Sequence, residues 1–294
     1  PTLRDLWDPI LLGSSEQFAD PISGDPNLQV NAFSGGNPAL QPETSKQWSV
    51  GFVIQPVAQF SFSMDWYNIK IEDIISTPGA QEVVTGFVNG DPAYANSVVL
   101  NSSGQIQTIS TQTVNAGVAE TDGFDVTLDY KDTFGWGRVG ANLQGTYVNK
   151  FDQTSPGGIL FHKVGTMVTD TGDPVIGADV TGGVVLRWKH IATLSYGYGA
   201  WDFAFIQNYY TGYRTGDRQL DGAPNYVNDQ SIFDAYMSYT GIKNLRLALG
   251  VKNIFDRDPP IYIPVGNQFQ AGYDSSLYDP RSRFVYGSIN YKFY

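Results

Sequence analysis

The chain has 294 residues, a formal net charge of −11, 14% aromatic residues, 32 glycines and no cysteine. The negative charge disfavours a nucleic-acid partner, because phosphate binding needs a basic face. The lack of cysteine excludes disulfides, thiolate metal sites and cysteine nucleophiles. No apolar run approaches the about 18 to 20 residues of a membrane helix, so a membrane crossing would have to use strands.

Alternation of apolar and polar residues predicts nine strands, because successive side chains of a strand point to opposite faces. Phe62, Met64 and Trp66, for example, alternate with Ser63 and Asp65. Almost no helix is expected beyond residues 80–101, whose sequence has helix-like pieces. The predicted strands cover residues 46–55, 60–67, 124–130, 139–147, 184–196, 201–209, 233–239 and 245–251, with a last strand within 281–294.

The connections between these strands alternate between short turns and long loops. Long segments surround residues 80–101, 152–180, 212–229 and 256–280, whereas the other connections are tight. Outer-membrane barrels sort their connections in this way, with short periplasmic turns and longer loops outside. The pattern therefore predicts an antiparallel transmembrane β-barrel fold, with the long loops and everything before Lys46 on the outer side. A soluble β-sandwich is the alternative.

Aromatic residues lie near the ends of the predicted strands, on the apolar face. They are Trp48, Trp66, Tyr130, Tyr147, Trp188, Trp201, Tyr239 and Tyr291. Membrane barrels carry aromatic girdles at these positions, although the same side chains could fill a sandwich core.

Nine is an odd number of strands, whereas bacterial single-chain barrels have even numbers. We therefore expect this all-β chain to be a segment of a larger barrel.

Several motifs are similar to those of TonB-dependent outer-membrane receptors, and they occur along this chain in the same order as in that family. Residues 37–46 (NPALQPETSK) resemble a segment that precedes an aromatic strand pair in that family, and residues 1–6 (PTLRDL) resemble one that follows a barrel strand. Further similar motifs are TDGFD at 121–125, GVKNIFDRDPP at 250–260 and YDPRSRF at 278–284. The resemblance covers essentially the whole chain.

This resemblance implies a barrel of about 22 strands with a plugged lumen. Residues 1–294 would be its C-terminal portion, supplying about nine strands, and the plug and the segment that contacts TonB would not be in this chain. The implied location is the outer membrane of a Gram-negative bacterium. The implied function is TonB-driven uptake of a scarce nutrient, with a ferric siderophore placed ahead of an oligosaccharide or cobalamin, and no cofactor.

The implied partners are outer-membrane lipid, TonB, a small-molecule ligand and, during folding, the barrel-assembly machinery. The family usually ends on phenylalanine, whereas Tyr294 follows Phe293 here. These two residues are therefore the candidate assembly signal.

The matching motifs are interpreted mainly as architecture. Asn253 and Asp256 follow a predicted strand and have side chains that suit a strand exit. Gly123 would let neighbouring strands approach closely or form a bulge.

Catalytic and metal chemistry have few candidate residues. A barrel hydrolase is the alternative from another class of function, and its catalytic base would have to be His162 or His190. The acidic loop with Asp170 and Asp173 could hold Ca²⁺ through oxygen ligands, but its spacing is not that of an EF-hand. A solvated turn is the preferred interpretation, so we expect no metal site and no catalytic residue.

A ligand site is expected where aromatic residues and an arginine cluster in the outward loops. The candidates are Tyr209, Tyr210, Tyr213, Arg214, Tyr262 and Tyr273. Stacking aromatics suit sugars, whereas arginine and tyrosine suit anionic iron chelates. Girdle positions or loop packing would explain these residues equally well.

Overall fold

The computed structural model describes residues 1–115, 117–154, 160–167, 184–218, 224–262 and 272–293. The helices are α1 (Leu3–Trp7) and α2 (Ala80–Val88), with a 3₁₀ turn at Pro92–Tyr94. No helix of these residues is long and apolar enough to cross a membrane. The strands are β1 (Leu11–Ser14), β2 (Asn31–Ser34), β3 (Thr44–Val57), β4 (Phe60–Glu72), β5 (Ile75–Ser76), β6 (Val98–Leu100), β7 (Ile106–Ser110), β8 (Val114–Asn115), β9 (Val118–Phe134), β10 (Gly137–Thr154), β11 (Leu160–His162), β12 (Trp188–Tyr198), β13 (Trp201–Tyr210), β14 (Tyr213–Arg218), β15 (Pro224–Val227), β16 (Gln230–Ile242), β17 (Leu245–Lys252) and β18 (Phe284–Tyr291).

Nine long strands form one antiparallel sheet, which we call the wall. They pair in the order β3-β4-β9-β10-β12-β13-β16-β17-β18, and β11 adds to the long-loop end of β10. These are the nine predicted strands, and the wall matches part of a barrel that is not closed in this chain. Within the described residues, β3 and β18 each have one side without a partner strand.

One sequence expectation about element bounds is wrong. The strand expected to start at 184 begins at Trp188, because Val184 and Leu186 are buried in a cluster of loop residues instead. Outside 80–101 the described residues contain one short α-helix, α1, whose first turn the Thr2 and Asp5 side chains cap reciprocally.

The pairing of the strands gives the wall two different faces. Trp66, Phe124, Tyr147 and Trp188 are partners across β4, β9, β10 and β12, so they form one row at the long-loop end. The same face, called the outward face, also carries Val50, Phe52, Phe62, Met64, Val126, Leu128, Leu143, Leu194, Phe203, Phe205, Met237, Leu249, Val251, Val285 and Ile289. Many of its side chains are exposed, as Leu194 (61%) and Ile289 (76%) illustrate, and the others are half-buried. No second layer of described residues covers this face, contrary to what a sandwich requires.

The opposite, inner face is mainly polar. Asp129 and Asn142 are partners there, and the Asn142 amide donates to the Asp129 carboxylate at 2.8 Å. Other inner-face residues are Ser63, Asp65, Thr127, Gln144, Asn208, Asp234, Arg246, Lys252 and Asn290. An apolar outer surface with a polar interior is the arrangement of a membrane barrel.

Residues 1–43 and 73–115 fold together at the long-loop end of the wall, and we call them the N-terminal module. Their four-stranded sheet has the order β1-β2-β7-β6, and α2 packs on it. Val83, Val84, Tyr94 and Ile109 are at most 1% exposed in its core.

Three residues singled out from the sequence have the expected architectural contacts. A Cβ atom on Gly123 would lie 2.3 Å from the Tyr147 carbonyl oxygen, beside a bulge in β10. The Asn253 side chain bonds both the amide and the carbonyl of Arg257, and Asp256 accepts from the Arg283 amide at 2.6 Å. Both residues have positive φ, which asparagine and aspartate tolerate.

The two-faced wall generates a first prediction. Leu194→Arg places a charge on the outward face and is expected to lower the free energy of unfolding in lipid by about 2–4 kcal/mol. Ser195→Arg, one residue away on the inner face, is the matched control and should cost far less. Urea unfolding of the full-length protein in lipid vesicles measures both. Equal losses would contradict the assignment of the faces.

Candidate ligand site at the long-loop end of the wall

Buried side chains from three long connections share one cluster above the end of the wall, which we call the loop core. Its buried members are Met167, Val184, Leu186, Tyr213, Val227, Tyr262 and Tyr278. Tyr210, Tyr273 and Leu277 pack against it. The connections that follow β11, β13 and β17 are therefore held together by apolar and aromatic contacts.

A buried carboxylate, that of Asp274, joins two of these connections. Asp274 is 0% exposed and accepts from the Tyr213 hydroxyl at 2.9 Å. It also accepts from the amide and the hydroxyl of Ser276, at 2.9 and 2.6 Å. A buried charge is costly unless several donors satisfy it, and these three contacts provide them. Asp274 thus ties the segment after β17 to β14.

The environment of the loop core keeps Tyr213 and Tyr278 neutral. Burial, followed by the nearby Asp274 charge, raises the pKa of Tyr213 above its ordinary value. The same two causes raise the pKa of Tyr278. Both phenols therefore remain protonated, and Tyr213 acts as a donor to Asp274.

A cavity of about 330 Å³ lies next to the loop core, on the inner face of the wall. Its lining residues are Asn208, Tyr210, Gln230, Ile232, Asp234, Lys252, Asn253, Leu277, Asp279, Arg281, Ser282 and Phe284. One side of the cavity is formed by the strands β13, β16, β17 and β18. The segment before β18 forms another side. Polar and aromatic groups thus meet at the long-loop end of the inner face.

Two carboxylates, those of Asp234 and Asp279, and two cations, Lys252 and Arg281, line this cavity. Asp234 accepts from the Asn253 amide at 2.8 Å, and the Arg281 Nε lies 2.9 and 2.8 Å from the two Asp279 oxygens. Hydrogen bonding to Arg281 lowers the pKa of Asp279 to about 2. Lys252, in contrast, forms no ion pair with any residue that the structure describes. The charge of Lys252 also contributes to the lowered pKa of Asp279, so the cavity offers a ligand a cation outside any ion pair of the described residues, and not a net positive charge.

Four of the six candidate tyrosine and arginine residues lie together. Tyr210 lines the cavity and packs edge-on against Tyr278, with 6.4 Å between ring centroids. Tyr213 and Tyr262 are each 2% exposed within the loop core, and Tyr273 packs on its outside. Only Tyr210 of this group lines the cavity itself.

The other two candidates have different surroundings. The Arg214 main chain bonds to Gly165 and Met167, which holds β14 against the connection after β11. Tyr209 lies on the outward face, where its ring stacks on His190 at 5.1 Å between centroids. Tyr209 is therefore on the opposite side of the wall from the cavity.

Three residues of this region were not among the candidates. Lys252 is the last residue of β17 and lies on the inner face, Arg281 precedes β18, and Asp274 is buried between the loops. The signal for Arg281 was the motif YDPRSRF, which had been interpreted as architecture. Lys252 could have been found from the alternation that places it on the inner face.

The two histidines have ordinary polar partners. His162 Nδ1 lies 2.5 Å from Asp152 Oδ1, and the Trp188 indole donates to His190 Nδ1 at 2.8 Å. The described residues contain no group of three potential metal ligands from histidine, cysteine, aspartate and glutamate. Asp170 and Asp173 lie outside the described residues.

The candidate assembly signal is described only in part. Phe293 is 80% exposed and packs edge-on against Tyr291, with 5.0 Å between ring centroids. Tyr294 lies outside the described residues, so the role of this pair stays a prediction.

The sequence matches one family model, that of the TonB dependent receptor-like β-barrel, over residues 7–254. No curated protein matches it.

Solved structures share the fold at low sequence identity. A mutant ferric enterobactin receptor from Pseudomonas aeruginosa is 16% identical with a TM-score of 0.64, over 99% of this chain and 36% of that one. The siderophore receptor PirA from Acinetobacter baumannii is 18% identical with a TM-score of 0.59, over 95% and 35%. The FrpB iron transporter from Neisseria meningitidis is 15% identical with a TM-score of 0.53, over 87% and 32%. The chain spans about a third of the length of these structures.

The bond between Tyr213 and Asp274 generates a second prediction. Tyr213→Phe removes a donor from a buried carboxylate and is expected to destabilise the loop core locally by about 1–3 kcal/mol. Amide hydrogen exchange of residues 272–278 should become faster, while exchange in the wall stays unchanged. Tyr226→Phe, at an exposed position of β15, is the control. Unchanged exchange in the Tyr213 variant would show that the bond does not hold the loops.

A third prediction concerns the pH dependence of the Asp279–Arg281 pair. Because the folded-state pKa of Asp279 is lowered to about 2, the contribution of this pair is present above the ordinary value and is lost as the pH falls through about 2. Carbon NMR of labelled aspartate should show Asp279 still ionised at a pH of about 3, below the ordinary aspartate value. Arg281→Gln should return the midpoint toward that value. A normal midpoint in the unmodified protein would contradict the pairing.

Proposed function

Since the chain belongs to the family of TonB-dependent receptor β-barrels, we propose that it forms part of an outer-membrane receptor for a scarce nutrient. The proposed cargo is a ferric siderophore, and the energy for its uptake comes from TonB. The observation that carries the proposal is the cavity between the loop core and the inner face, whose lining includes Lys252, a cation that forms no ion pair within the described part of the chain.

The chemistry of the cavity supports an anionic, partly aromatic cargo. Lys252 offers a cationic donor, and charge-assisted hydrogen bonds of this kind are the stronger ones. The Arg281 guanidinium beside it already binds Asp279. Tyr210 and Phe284 add aromatic surface beside them. Solved relatives are named as receptors for ferric enterobactin and other siderophores, and they supply the cargo class. An oligosaccharide or cobalamin would rely on the aromatic surface without needing the Lys252 cation.

The faces of the wall support its placement in the membrane. The apolar outward face would contact lipid, the short turns would be periplasmic, and the long connections would lie outside the cell. Residues 1–294 would be the C-terminal portion of a barrel of about 22 strands, whose other strands would pair with β3 and β18. The plug and the segment that contacts TonB would come from outside this chain, and the barrel-assembly machinery would insert the wall.

Receptors of this family are transporters and not enzymes. The barrel hydrolase considered from the sequence is therefore set aside. His162 and His190 are explained by their contacts with Asp152 and Trp188.

Growth of a deletion strain tests the proposed cargo. The strain should grow poorly when a ferric siderophore is the only iron source, and the intact gene should restore growth. Growth on scarce oligosaccharides should be unaffected. A defect confined to the sugar condition would overturn the siderophore proposal and favour an oligosaccharide.

Binding measurements on variants of the purified receptor test the role of Lys252 in the cavity. Lys252→Gln should weaken binding of the ferric siderophore about tenfold, because it removes one charge-assisted contact. Lys131→Gln is the matched control. Lys131 is also an exposed inner-face lysine, but it lies at the short-turn end of β9, away from the cavity. Titration calorimetry on the purified receptor measures both. Equal affinities of the two variants would exclude Lys252 from the site.

A further inference from the structure

A row of charged side chains crosses the outward face beyond the aromatic row that contains Trp66. We call it the charged row, and direct partners on five neighbouring strands supply its members: Lys46 on β3, Lys70 on β4, Glu120 on β9, Asp152 on β10 and His162 on β11. Lys70 follows Trp66 by four residues, which places it about 13 Å nearer the long loops. The charged row therefore lies outside the apolar part of the face.

Two further side chains separate the like charges of the charged row. At one end, Glu72 joins the two lysines of the row, at 2.6 and 3.8 Å. At the other end, the Lys150 ammonium lies 2.9 Å from a Glu120 oxygen and 3.6 Å from an Asp152 oxygen. Such bridges are needed because like charges directly opposite each other destabilise a sheet. At this second end, two carboxylates share one ammonium, and Asp152 has the longer contact.

His162 can supply the charge that balances Asp152. Its Nδ1 lies 2.5 Å from Asp152 Oδ1, and the two residues are direct partners of β11 and β10. The imidazole carries a positive charge only when both of its nitrogens are protonated. The side chains of His162 and Asp152 are 53% and 20% exposed, so water reaches the pair and the imidazole can exchange protons with it.

The other cations near His162 are directed elsewhere. The Lys163 ammonium lies over the Phe151 ring, 6.0 Å from its centroid. Arg187, in the segment before β12, lies beside the aromatic row, with its guanidinium 6.0 Å from the centroid of the Tyr147 ring. Among the described residues, the charged groups at this end of the charged row are therefore Asp152, Glu120 and Lys150.

The position of β11 affects how the loops are held together. β11 adds only three residue pairs to β10, so each contact between them matters. In the residues that follow, the Lys163 carbonyl accepts from the Val185 amide at 3.0 Å, and the Gly165 carbonyl accepts from the Arg214 amide at 2.9 Å. Met167 is then buried in the loop core. The contact between His162 and Asp152 thus anchors a segment that reaches the roof of the cavity.

We propose that His162 and Asp152 form a pH-dependent contact that holds the connection after β11 on the loop core more tightly in acidic than in alkaline surroundings. Aspartates are ordinarily ionised above a pH of about 4, and histidines are ordinarily protonated below about 6.5. The attraction is therefore present between these values and is lost as the pH rises and the imidazole loses its charge. A neutral imidazole still donates one hydrogen bond, so the contact weakens without disappearing.

Amide hydrogen exchange of the full-length receptor tests this contact. Exchange is measured without cargo at pH values of about 5.5 and about 8.5, on either side of the ordinary histidine value, and is corrected for the rates of an unstructured chain. Protection of residues 160–167 should be about threefold larger at the lower pH, as expected for a partly exposed ion pair. His162→Gln keeps a neutral donor and should remove the difference, and Asp152→Asn should remove it through the other partner.

The second histidine of the chain provides the matched control. His190→Gln changes the other group that titrates in this pH range, on β12, and should retain the difference at residues 160–167. Equal protection at the two pH values in the unmodified receptor overturns the proposal, as does a difference that persists in His162→Gln. Heat-dependent gel mobility confirms that each variant is folded. Because no cargo is present, the result does not depend on the proposed function.

Discussion

The structure depends on one constraint: all nine antiparallel strands of the wall must direct their apolar side chains to the same face. Side chains alternate between faces, so a slip of a single residue in any strand pair would move all its apolar side chains to the inner face. The partners Trp66, Phe124, Tyr147 and Trp188 show that four successive strands keep the same phase. The apolar outer surface, the polar interior and the position of the cavity all follow from this agreement.

The long connections are organised by a different principle. The wall repeats one pattern, whereas the loop core is an irregular cluster of tyrosines around the buried carboxylate of Asp274. A charge in such a place needs every one of its hydrogen bonds, so it specifies one arrangement of the two segments it joins. One side of the cavity is thus formed by regular strands, and the shape of the side formed by the loops depends on a few side chains.

The sequence predicted the wall well and the site only in part. Period-two alternation is local, so each of the nine strands could be found from its own residues, as with Phe62, Met64 and Trp66. The loop core could not be found in this way, because Asp274 and Tyr213 are 61 residues apart and have no period in common. Tyr209 and Tyr210 were grouped as neighbours, yet adjacent residues of a strand point to opposite faces. Val184 and Leu186 show the reverse case, an alternating pattern that serves loop packing.

The N-terminal module is made of two pieces of chain that the hairpin β3–β4 separates. The Gln41 amide donates to Asn115 Oδ1 at 2.7 Å, and the Asn115 amide nitrogen returns a bond to the Gln41 carbonyl at 2.8 Å. Glu43 accepts from the Ile75 amide at 2.7 Å, at the two ends of the hairpin. A slip of two residues between β3 and β4 would preserve both faces of the wall but displace these ends by about 6.6 Å. Registers of β3 and β4 that differ by two residues place the same side chains on the same faces, so alternation cannot distinguish them. The hydrogen bonds that close the N-terminal module form in only one of these registers and therefore select it.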